Sequence, residues 1–571
     1  MLIIRWCLLS LILFAFLFPQ PPKWELRGVW ISAASGDWPK STDPAEQQRS
    51  LIAILDNVRS NNLNTVFFQV RPRGNVLYRS VHEPWAQQLT GTLGKDPGYD
   101  PLAFAVEQAH KRGLEIHAWF NVAKVWGSEQ LPSSPLHVTR THRDWVKLYD
   151  GEWWLDMGNP AVRDYLRSLV RELADQYDVD GIHFDYVRYP GEKFDDWGSF
   201  SKWSDGAEKG EWRRNNITAF VRECAADVWS EKPWMKIGSA PLGIYQSITG
   251  AQSSFTGYGG VYQDSRRWLR EGICDYVAPQ LYWSIGEQKN PNDPDFFALS
   301  NDWVQESYGR HVYIGIGAYR ENVQSEIREQ VLTTRAEGAQ GQVFFRYENL
   351  AVVMPKLRPL YAYPALVPPM PWKDSTAPLQ PVITAVQKEN DRTIIRWTVP
   401  DSLSRAGSIA RFVVYRSAQS TADTRRAENI LAVLPSASRS YTDNIAVGKN
   451  YSYIVTAVDR AGNESGSVGS PVTGTASLFA RYARPASEIR LSGITGDPSA
   501  GTVFFSYEIP VAGPVTLTLH TPADAETVLV RRTLPPGIHV AAIDTRTLPA
   551  GPFVYRLDAA GRSVTRTFEK K

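Results

Sequence analysis

Short runs of β-branched and aromatic residues alternate with amphipathic stretches along the first two-thirds of the chain. In the amphipathic stretches apolar residues recur at i, i+3 and i+4, which is the spacing of one helix face. Two of the stretches carry Pro101 and Pro160 near the first helical turn, where proline is tolerated. The apolar runs, each a predicted buried strand, lie at 25–32, 64–70, 114–121, 179–186, 235–241, 275–283, 311–318 and 340–347.

This alternation of strand and helix predicts an α/β domain over residues 23–365. Eight strand–helix repeats are typical of a (β/α)8 TIM barrel. A doubly wound open sheet is the alternative, because alternation alone does not show that the first and last strands pair.

The period changes to two after a proline-rich stretch at 366–380, which we predict to be a semi-rigid linker. Residues 381–475 resemble a fibronectin type III domain through Trp397, Tyr415, Tyr441 and the Tyr451–Tyr453 run. Residues 486–571 resemble the immunoglobulin-like C-terminal sorting domain of type IX secretion substrates, through SYEIP at 506–510 and the LPAG turn at 548–551. The chain is therefore predicted to carry two all-β immunoglobulin-like sandwich domains. The second resemblance implies contact with secretion machinery, and a plain spacer domain is its alternative.

The first 22 residues have the pattern of a signal peptide or an N-terminal anchor. One positive charge precedes an almost unbroken apolar run from Trp6 to Phe18, and prolines at 19, 21 and 22 end any helix. The apolar run is shorter than the roughly 20 residues of a membrane span. We therefore expect export to the periplasm, the cell surface or the medium.

Charge and cysteine content exclude several classes of protein. The 62 Lys and Arg residues against 60 Asp and Glu leave a formal charge of +2. A nucleic-acid partner would require a strongly basic domain or stripe, so none is expected. Three cysteines are too few for a disulfide scaffold or a zinc ribbon. Cys7 lies in the leader, and we expect Cys224 and Cys274 to be buried free thiols.

Polar and aromatic residues gather where the predicted barrel strands end, which is where TIM barrels place their active sites. Rings that stack on sugar faces, together with amides, Arg and His that bind hydroxyl groups, are the composition of a sugar site. The predicted substrate-binding residues are Gln69, Arg71, Trp85, His117, Trp119, Asn121, His183, Tyr186, Arg188, Tyr189, Gln280, Tyr282, Trp283, Tyr347 and Glu348.

Two carboxyl groups are needed for glycoside hydrolysis, and Asp185 and Glu83 are the predicted pair. Asp185 ends the fourth strand, where a neighbouring Arg would lower its pKa and suit a nucleophile or a charge stabiliser. A salt bridge with such an Arg is its structural alternative. Glu83 precedes Pro84 and Trp85, and a carboxyl against an indole has the raised pKa of a proton donor. Glu348 competes for that role, and Asp37 and Glu287 are weaker candidates, whereas Asp275 begins its strand and is predicted to be structural.

Residues 25–365 resemble the glycosyl-hydrolase-like 10 family of exported bacterial barrels. The matching segments include NNLNTVFFQVRPRGNVLYRSVHEPWAQQLTG and VDGIHFDYVRYP. The resemblance implies hydrolysis of peptidoglycan glycan strands, with Glu83 as catalytic acid and Asp185 as its partner. The chain departs from the family at two places. Lys124 ends a Val-Ala-Lys sequence after Asn121 where relatives commonly read Pro-Tyr-Arg, and Tyr186 replaces a second acid that some relatives have.

These observations predict an exported glycoside hydrolase of bacterial cell-wall glycan. A non-catalytic glycan-binding or adhesive protein and a hydrolase of another extracellular polysaccharide are the alternatives. The chain contains no His-Glu-x-x-His motif, and its Asp-rich PNDPDF segment lacks a calcium-loop pattern. We therefore expect no metal and no cofactor.

Overall fold

The computed structural model describes most of the chain beyond the predicted leader, of which residues 1–20 lie outside the described residues. Within the described part, no helix has the length and the apolar character that a membrane crossing needs. The described residues are 21–286, 294–389, 391–399, 409–419, 421–444, 450–466, 489–495, 498, 502–511, 513–521, 525–534, 537–546 and 548–570.

Eight parallel strands close into a barrel, which confirms the predicted TIM barrel. Strand β7 pairs with both β6 and β8, and β8 pairs with β1, so an open doubly wound sheet is excluded. The strands are β1 (Leu26–Ile31), β2 (Thr65–Arg71), β3 (Glu115–Asn121), β4 (Gly181–Asp185), β5 (Lys236–Ser239), β6 (Tyr276–Val277 and Gln280–Leu281), β7 (His311–Ile316) and β8 (Gly341–Phe344).

A helix follows each barrel strand and packs on the outside of the sheet. Three of the helices have a side-chain cap followed by proline in the first turn, with Asp43, Asp100 and Asn159 accepting backbone N–H groups. The helices are α1 (Pro44–Ser60), α2 (Pro101–Lys111), α3 (Pro160–Gln176), α4 (Lys209–Glu231), α5 (Ser265–Arg270), α6 (Phe296–Gln305), α7 (Ile327–Glu337) and α8 (Leu350–Leu357).

The loops at the carboxyl ends of the strands carry further short elements. An antiparallel sheet of Lys124–Trp126, Val146–Tyr149 and Glu152–Leu155 stands between β3 and α3, beside the barrel mouth. Short helical turns also lie in the connections, at Gln87–Thr90, Val138–Thr141, Arg143–Trp145, Trp197–Trp203, Gly257–Gly260, Glu321–Ser325 and Tyr347–Asn349.

The segment predicted to be a linker is packed against the end of the barrel where the strands begin, opposite the mouth. Val367 and Met370 are buried in one cluster with Leu26 of β1. The Trp372 indole N–H donates to the carboxylate of Asp275 over 2.8 Å. Asp275 therefore lies at the end of the barrel where the strands begin, away from the mouth. This is the structural role that its position predicts.

Two all-β regions follow, whose fibronectin-like and sorting-type identities stay predictions. The first contains two three-stranded antiparallel sheets, and the second contains a three-stranded and a four-stranded sheet. Cys224 and Cys274 are buried free thiols, as expected. The strands of the first region are Val382–Glu389, Arg392–Thr398, Ile409–Ser417, Ile430–Pro435, Ser440–Asn444 and Ser452–Asp459, and those of the second are Arg490–Thr495, Thr502–Ile509, Gly513–His520, Glu526–Leu534, Gly537–Asp544, Gly551–Ala559 and Arg562–Lys570.

Both β regions contact the barrel. The Arg411 guanidinium of the first donates to the backbone carbonyl of Gly113 over 2.9 Å and lies 3.3 Å from the Glu115 carboxylate. From the second region, Arg532 donates to the carbonyl of Glu337 at the end of α7 over 3.0 Å. The barrel mouth is not part of either of these contacts.

Candidate active site

A cavity of about 130 Å³ opens at the carboxyl ends of the strands. Seven predicted site residues line it: Gln69, Trp119, Asn121, Asp185, Tyr186, Gln280 and Tyr282. The lining also includes Trp30, Ser32, Ala34, Ser35, Arg73, Lys124, Ala240 and Phe345, which were not among the predicted residues.

Asp185 occupies this cavity because of the two-residue period of β4. Gly181, His183 and Asp185 share one face of the strand, and the Trp30 indole donating to His183 inside the barrel shows that this face points inward. Asp185 is the last residue of β4, so its carboxyl group reaches the mouth rather than the packed interior. Only 9% of its surface remains exposed.

Three groups hydrogen-bond to the Asp185 carboxyl. The backbone N–H of Tyr186 donates to Oδ1 over 2.7 Å, the Trp119 indole donates to Oδ2 over 3.2 Å, and the Gln280 amide lies 3.4 Å from Oδ1. Burial nevertheless dominates and raises the pKa of Asp185 from 3.8 to about 6, against the lowering effects of Tyr186 and Arg188. The expectation of a lowered pKa is therefore wrong, because desolvation outweighs the nearby cation.

The residue after Asp185 has an unusual backbone conformation. Tyr186 has a φ of 49°, in the left-handed region that costs a non-glycine residue about 1–2 kcal/mol. Its carbonyl accepts from the N–H of Ala123, and the Asp185 carbonyl accepts from Val122. This turn places the Tyr186 ring at the cavity wall, under the Lys124 ammonium, which lies 5.2 Å from the ring centroid.

Two amide side chains at the mouth present free polar atoms. The Asn121 amide donates to the carbonyl of Pro72 over 2.7 Å, while its buried Oδ1 has no hydrogen-bond partner among the described residues. Gln69 accepts from Ser32 Oγ and from Ala34 N through Oε1, and its NH₂ group makes no hydrogen bond to the part of the chain that the structure describes. An unpaired buried acceptor costs about 1–3 kcal/mol, and a ligand donor would remove that cost.

Glu83 lies outside the cavity, in a buried ion pair. Its carboxylate accepts from one terminal nitrogen and from Nε of the Arg71 guanidinium over 2.5 and 2.7 Å, and its side chain has no exposed surface. The Tyr165 hydroxyl donates to it over 3.0 Å. The expected meeting of Glu83 and Asp185 across one cavity is therefore not observed. Because the Glu83 carboxylate is excluded from water, it has no access to a sugar. Because it is paired with Arg71, it is not the unpaired carboxyl against an indole on which the prediction of a proton donor depended.

Arg71 is likewise unavailable to substrate. It donates to the backbone carbonyls of Asn121 and Val122 as well as to Glu83, so it holds the start of the loop after β3. The loop carrying Glu83 and the loop beginning at Asn121 are thus joined through Arg71. Glu83 and Arg71 position the cavity wall instead of touching its contents.

The other predicted site residues lie behind or beside the cavity. His117 and His183 bond to the Tyr276 hydroxyl inside the barrel, at 2.7 and 3.2 Å, and burial lowers the pKa of both. The side-chain alternation that places Asp185 on an inward face at the mouth also places these two histidines on inward faces, deeper in the barrel. Arg188 stacks on Trp154 and Tyr186, while Trp85, Tyr189, Trp283 and Tyr347 pack in the protein without lining the cavity.

The competing carboxylates are also engaged elsewhere. Glu348 is exposed and pairs with Arg346 and Lys40. Asp37 is buried and accepts from the backbone N–H groups of Ser32 and Glu348, which orders the loop after β1. Glu287 lies outside the described residues. Among the described residues that line the cavity, Asp185 carries the sole carboxyl group, and nowhere in the described chain do three His, Cys, Asp or Glu side chains group to hold a metal ion.

Four of the eight missed lining residues carry a ring or a charge, and these four are of two kinds. Trp30 and Phe345 lie one strand period beyond buried inward residues of β1 and β8, so the alternation could have found them together with the rings predicted at other strand ends. Arg73 comes from a loop and Lys124 from the short strand Lys124–Trp126, and their direction depends on how these connections fold. Apolar periodicity does not mark those two positions.

Comparison with known proteins decides the family. Residues 25–332 match the family described as Glycosyl hydrolase-like 10. The chain belongs to that family. The glycosyl hydrolase YngK of Bacillus subtilis strain 168 is 33% identical over 477 residues, which are 77% of this chain and 92% of YngK. The glycosyl hydrolase DigH of Escherichia coli K12 is 34% identical over 339 residues, which are 54% of this chain and 76% of DigH.

Solved structures add only a distant likeness. An α-L-fucosidase from Paenibacillus thiaminolyticus covers 90% of this chain and 99% of its own at a TM-score of 0.42 and 11% identity. At this level the likeness has no bearing on function. Membership of the family confirms the resemblance that the barrel sequence shows, and the named relatives support a function of the glycoside hydrolase type.

Proposed function

We propose that the protein is an exported glycoside hydrolase that cleaves glycosidic bonds in bacterial cell-wall glycan, with Asp185 as the proton donor. The observation that carries the proposal is a carboxyl group with a pKa of about 6 in a ring-lined cavity at a barrel mouth. A carboxyl with this pKa is about half protonated at pH 6 and still about one-tenth protonated at pH 7, whereas an ordinary aspartate there holds almost no proton, so a general acid stays available. Family membership supplies the reaction class.

In the proposed reaction the Asp185 carboxyl gives its proton to the bridging oxygen as the bond from that oxygen to the anomeric carbon breaks. Water then adds its hydroxyl to the anomeric carbon and returns a proton to the Asp185 carboxylate. The hydrogen bonds from Trp119 and Tyr186 stabilise the carboxylate that forms when the proton leaves. Asp185 thus takes the acid role that the sequence favoured for Glu83.

The remaining lining residues suit an amide-bearing sugar. Tyr282 and Phe345 stack on each other at 5.4 Å between ring centroids, and with Trp119 they offer apolar surfaces to a sugar face. The unpartnered Oδ1 of Asn121 accepts from a hydroxyl or an acetamido N–H, and cell-wall glycan has both. The leader and the C-terminal β region support export, since a cell-wall substrate lies outside the cytoplasm.

A second candidate function is glycan binding without cleavage. It is favoured by the single carboxyl group among the described lining residues, because paired-carboxylate hydrolysis needs two. Under this alternative Asp185 is an acceptor for sugar hydroxyl groups, and the cavity is a lectin-like site.

Incubation of purified, peptide-free cell-wall glycan strands with the full-length protein distinguishes the two functions. The products are separated by chromatography and weighed by mass spectrometry. Shorter strands with one added water per cut, formed by the wild type and lost in Asp185→Asn, support hydrolysis. Saturable binding with no shorter product supports the second candidate, and products formed equally by Asp185→Asn would contradict the proton-donor role.

A further inference from the structure

Arg73 is a cation in the cavity without a carboxylate of its own. It lies two residues beyond the end of β2 and lines the cavity with Asp185. No carboxylate lies within 4.0 Å of its guanidinium in the part of the chain that the structure describes. The neighbouring Arg71 binds Glu83 through Nε and one terminal nitrogen, and Lys124 pairs with Glu152 over 2.5 Å.

The loop after β3 leaves space for this guanidinium. A Cβ on Gly127 would lie 2.8 Å from one terminal nitrogen of Arg73 and 3.1 Å from its central carbon. The backbone of Gly127 is outside the left-handed region, so its conformation does not require glycine. The missing side chain instead lets the guanidinium approach the main chain at Gly127.

Arg73 gives the cavity a positive charge that no nearby carboxylate of the described residues offsets. Lys124 is neutralised by Glu152, and Asp185 is largely neutral below its pKa of about 6. A guanidinium that has no carboxylate partner within the protein can bind the carboxylate of a ligand through two parallel N–H donors. Neutral sugars would leave this group with hydroxyl acceptors only.

We infer that Arg73 binds a carboxylate carried by the sugar next to Asp185, so that acidic glycans are preferred to neutral ones. The inference rests on the proposed function and adds a substrate class and a specificity-determining residue to it. A charge-assisted pair of this kind is worth about tenfold to a hundredfold in binding.

The test compares two polymers that differ only in this group. One is peptide-free cell-wall glycan with its lactyl carboxyl groups intact, and the other is the same glycan after reduction of those groups to alcohols. We expect wild type to cleave the intact polymer with a kcat/KM at least about tenfold higher. Arg73→Met should remove that preference through KM, with kcat within about threefold, and Arg73→Lys should restore part of it.

Matched variants separate recognition from folding. Arg79→Met removes an exposed arginine from the same loop and should leave both polymers unaffected. Gly127→Ala displaces the guanidinium without deleting it, and should impair cleavage of the intact polymer more than that of the reduced one. Equal cleavage of the two polymers by wild type, or equal losses on both in Arg73→Met, would overturn the inference while leaving the hydrolase proposal standing.

Absence of cleavage on both polymers would count against the proposed function, and binding then decides the inference. Tryptophan fluorescence, with Trp30 and Trp119 in the cavity wall, reports binding of each polymer to the intact protein. About tenfold tighter binding of the carboxylated glycan, lost in Arg73→Met, would support the inference. Equal affinities for both would overturn it.

Discussion

Replacing Asp185 by asparagine should remove activity and at the same time stabilise the fold. The carboxyl group is ionised at pH 8 although it is nine-tenths buried and bonded by only a few donors. A pKa that rises from 3.8 to about 6 on folding corresponds to about 3 kcal/mol of lost stability at high pH. The introduced asparagine would carry no charge, but its NH₂ group would face the Trp119 N–H, which costs about 1 kcal/mol.

The net gain is therefore about 2 kcal/mol at pH 8, and its sign depends on pH. Burial favours the protonated carboxyl, so the wild type loses stability as the pH rises from about 4 to about 6 and then no further. Near pH 4 the folded chain holds the proton and the unfolded chain is about half protonated, so the gain from removing the charge falls to about 0.5 kcal/mol and the cost at Trp119 cancels it. The melting temperature of Asp185→Asn should exceed that of wild type by about 2–5 °C at pH 8 and by almost nothing at pH 4.

Paired thermal melts at pH 4, 6 and 8 measure this difference, and product analysis on cell-wall glycan measures the activity. Loss of the proton donor should lower the rate about a hundredfold to ten-thousandfold. Glu129→Gln, which removes an exposed carboxyl near the same mouth, is the control and should change neither quantity. A melting difference independent of pH, or activity within about tenfold of wild type, would refute the reasoning.

Four further outcomes follow from the same contacts. Glu83→Gln leaves the buried Arg71 charge without its counter-ion, so it should lower stability by about 3–5 kcal/mol while the folded fraction keeps its kcat; a kcat fall at unchanged melting temperature would contradict this. Wild-type kcat/KM should fall as the pH rises through about 6, because the Asp185 proton is then lost; a flat profile from pH 5 to 8 would argue against it. Trp119→Phe removes a donor that favours the ionised carboxyl, so the same fall should move to higher pH, and a move to lower pH would contradict the bond. Arg411→Met removes a contact between the first β region and the barrel, and calorimetry should show two separated transitions in place of the wild-type profile.

Much of the barrel could be predicted because the apolar pattern of each strand and helix involves residues that are close together in the sequence. The observed strands lie within the eight predicted runs, except that β2 extends one residue further to Arg71, since buried parallel strands are rich in apolar residues. The inward period of β4 likewise predicts that Asp185 comes last and faces the mouth. For the β regions, alternating patterns were enough to predict sheets.

The partners of the charged groups could not be predicted in this way. Arg71 and Arg73 are two residues apart and chemically alike, yet one is fully paired to Glu83 and the other faces the cavity. Which of the two arginines is paired depends on the path of the loop that carries Glu83. A sequence pattern does not encode that path. The same holds for Asp185, whose pKa rises because burial removes water from around it.

The order of residues alone determined the architecture of this protein, its family and the strand ends at which its chemistry lies. The tertiary structure decided that Asp185 lines the cavity while Glu83 does not, and that the pKa of Asp185 is raised. The physical reason is that hydrophobic periodicity follows from neighbours along the chain, whereas ion pairing and desolvation depend on groups that meet only after the barrel has closed. Glu83 and Asp185 have similar chemistry as residue types, and their surroundings give them opposite roles.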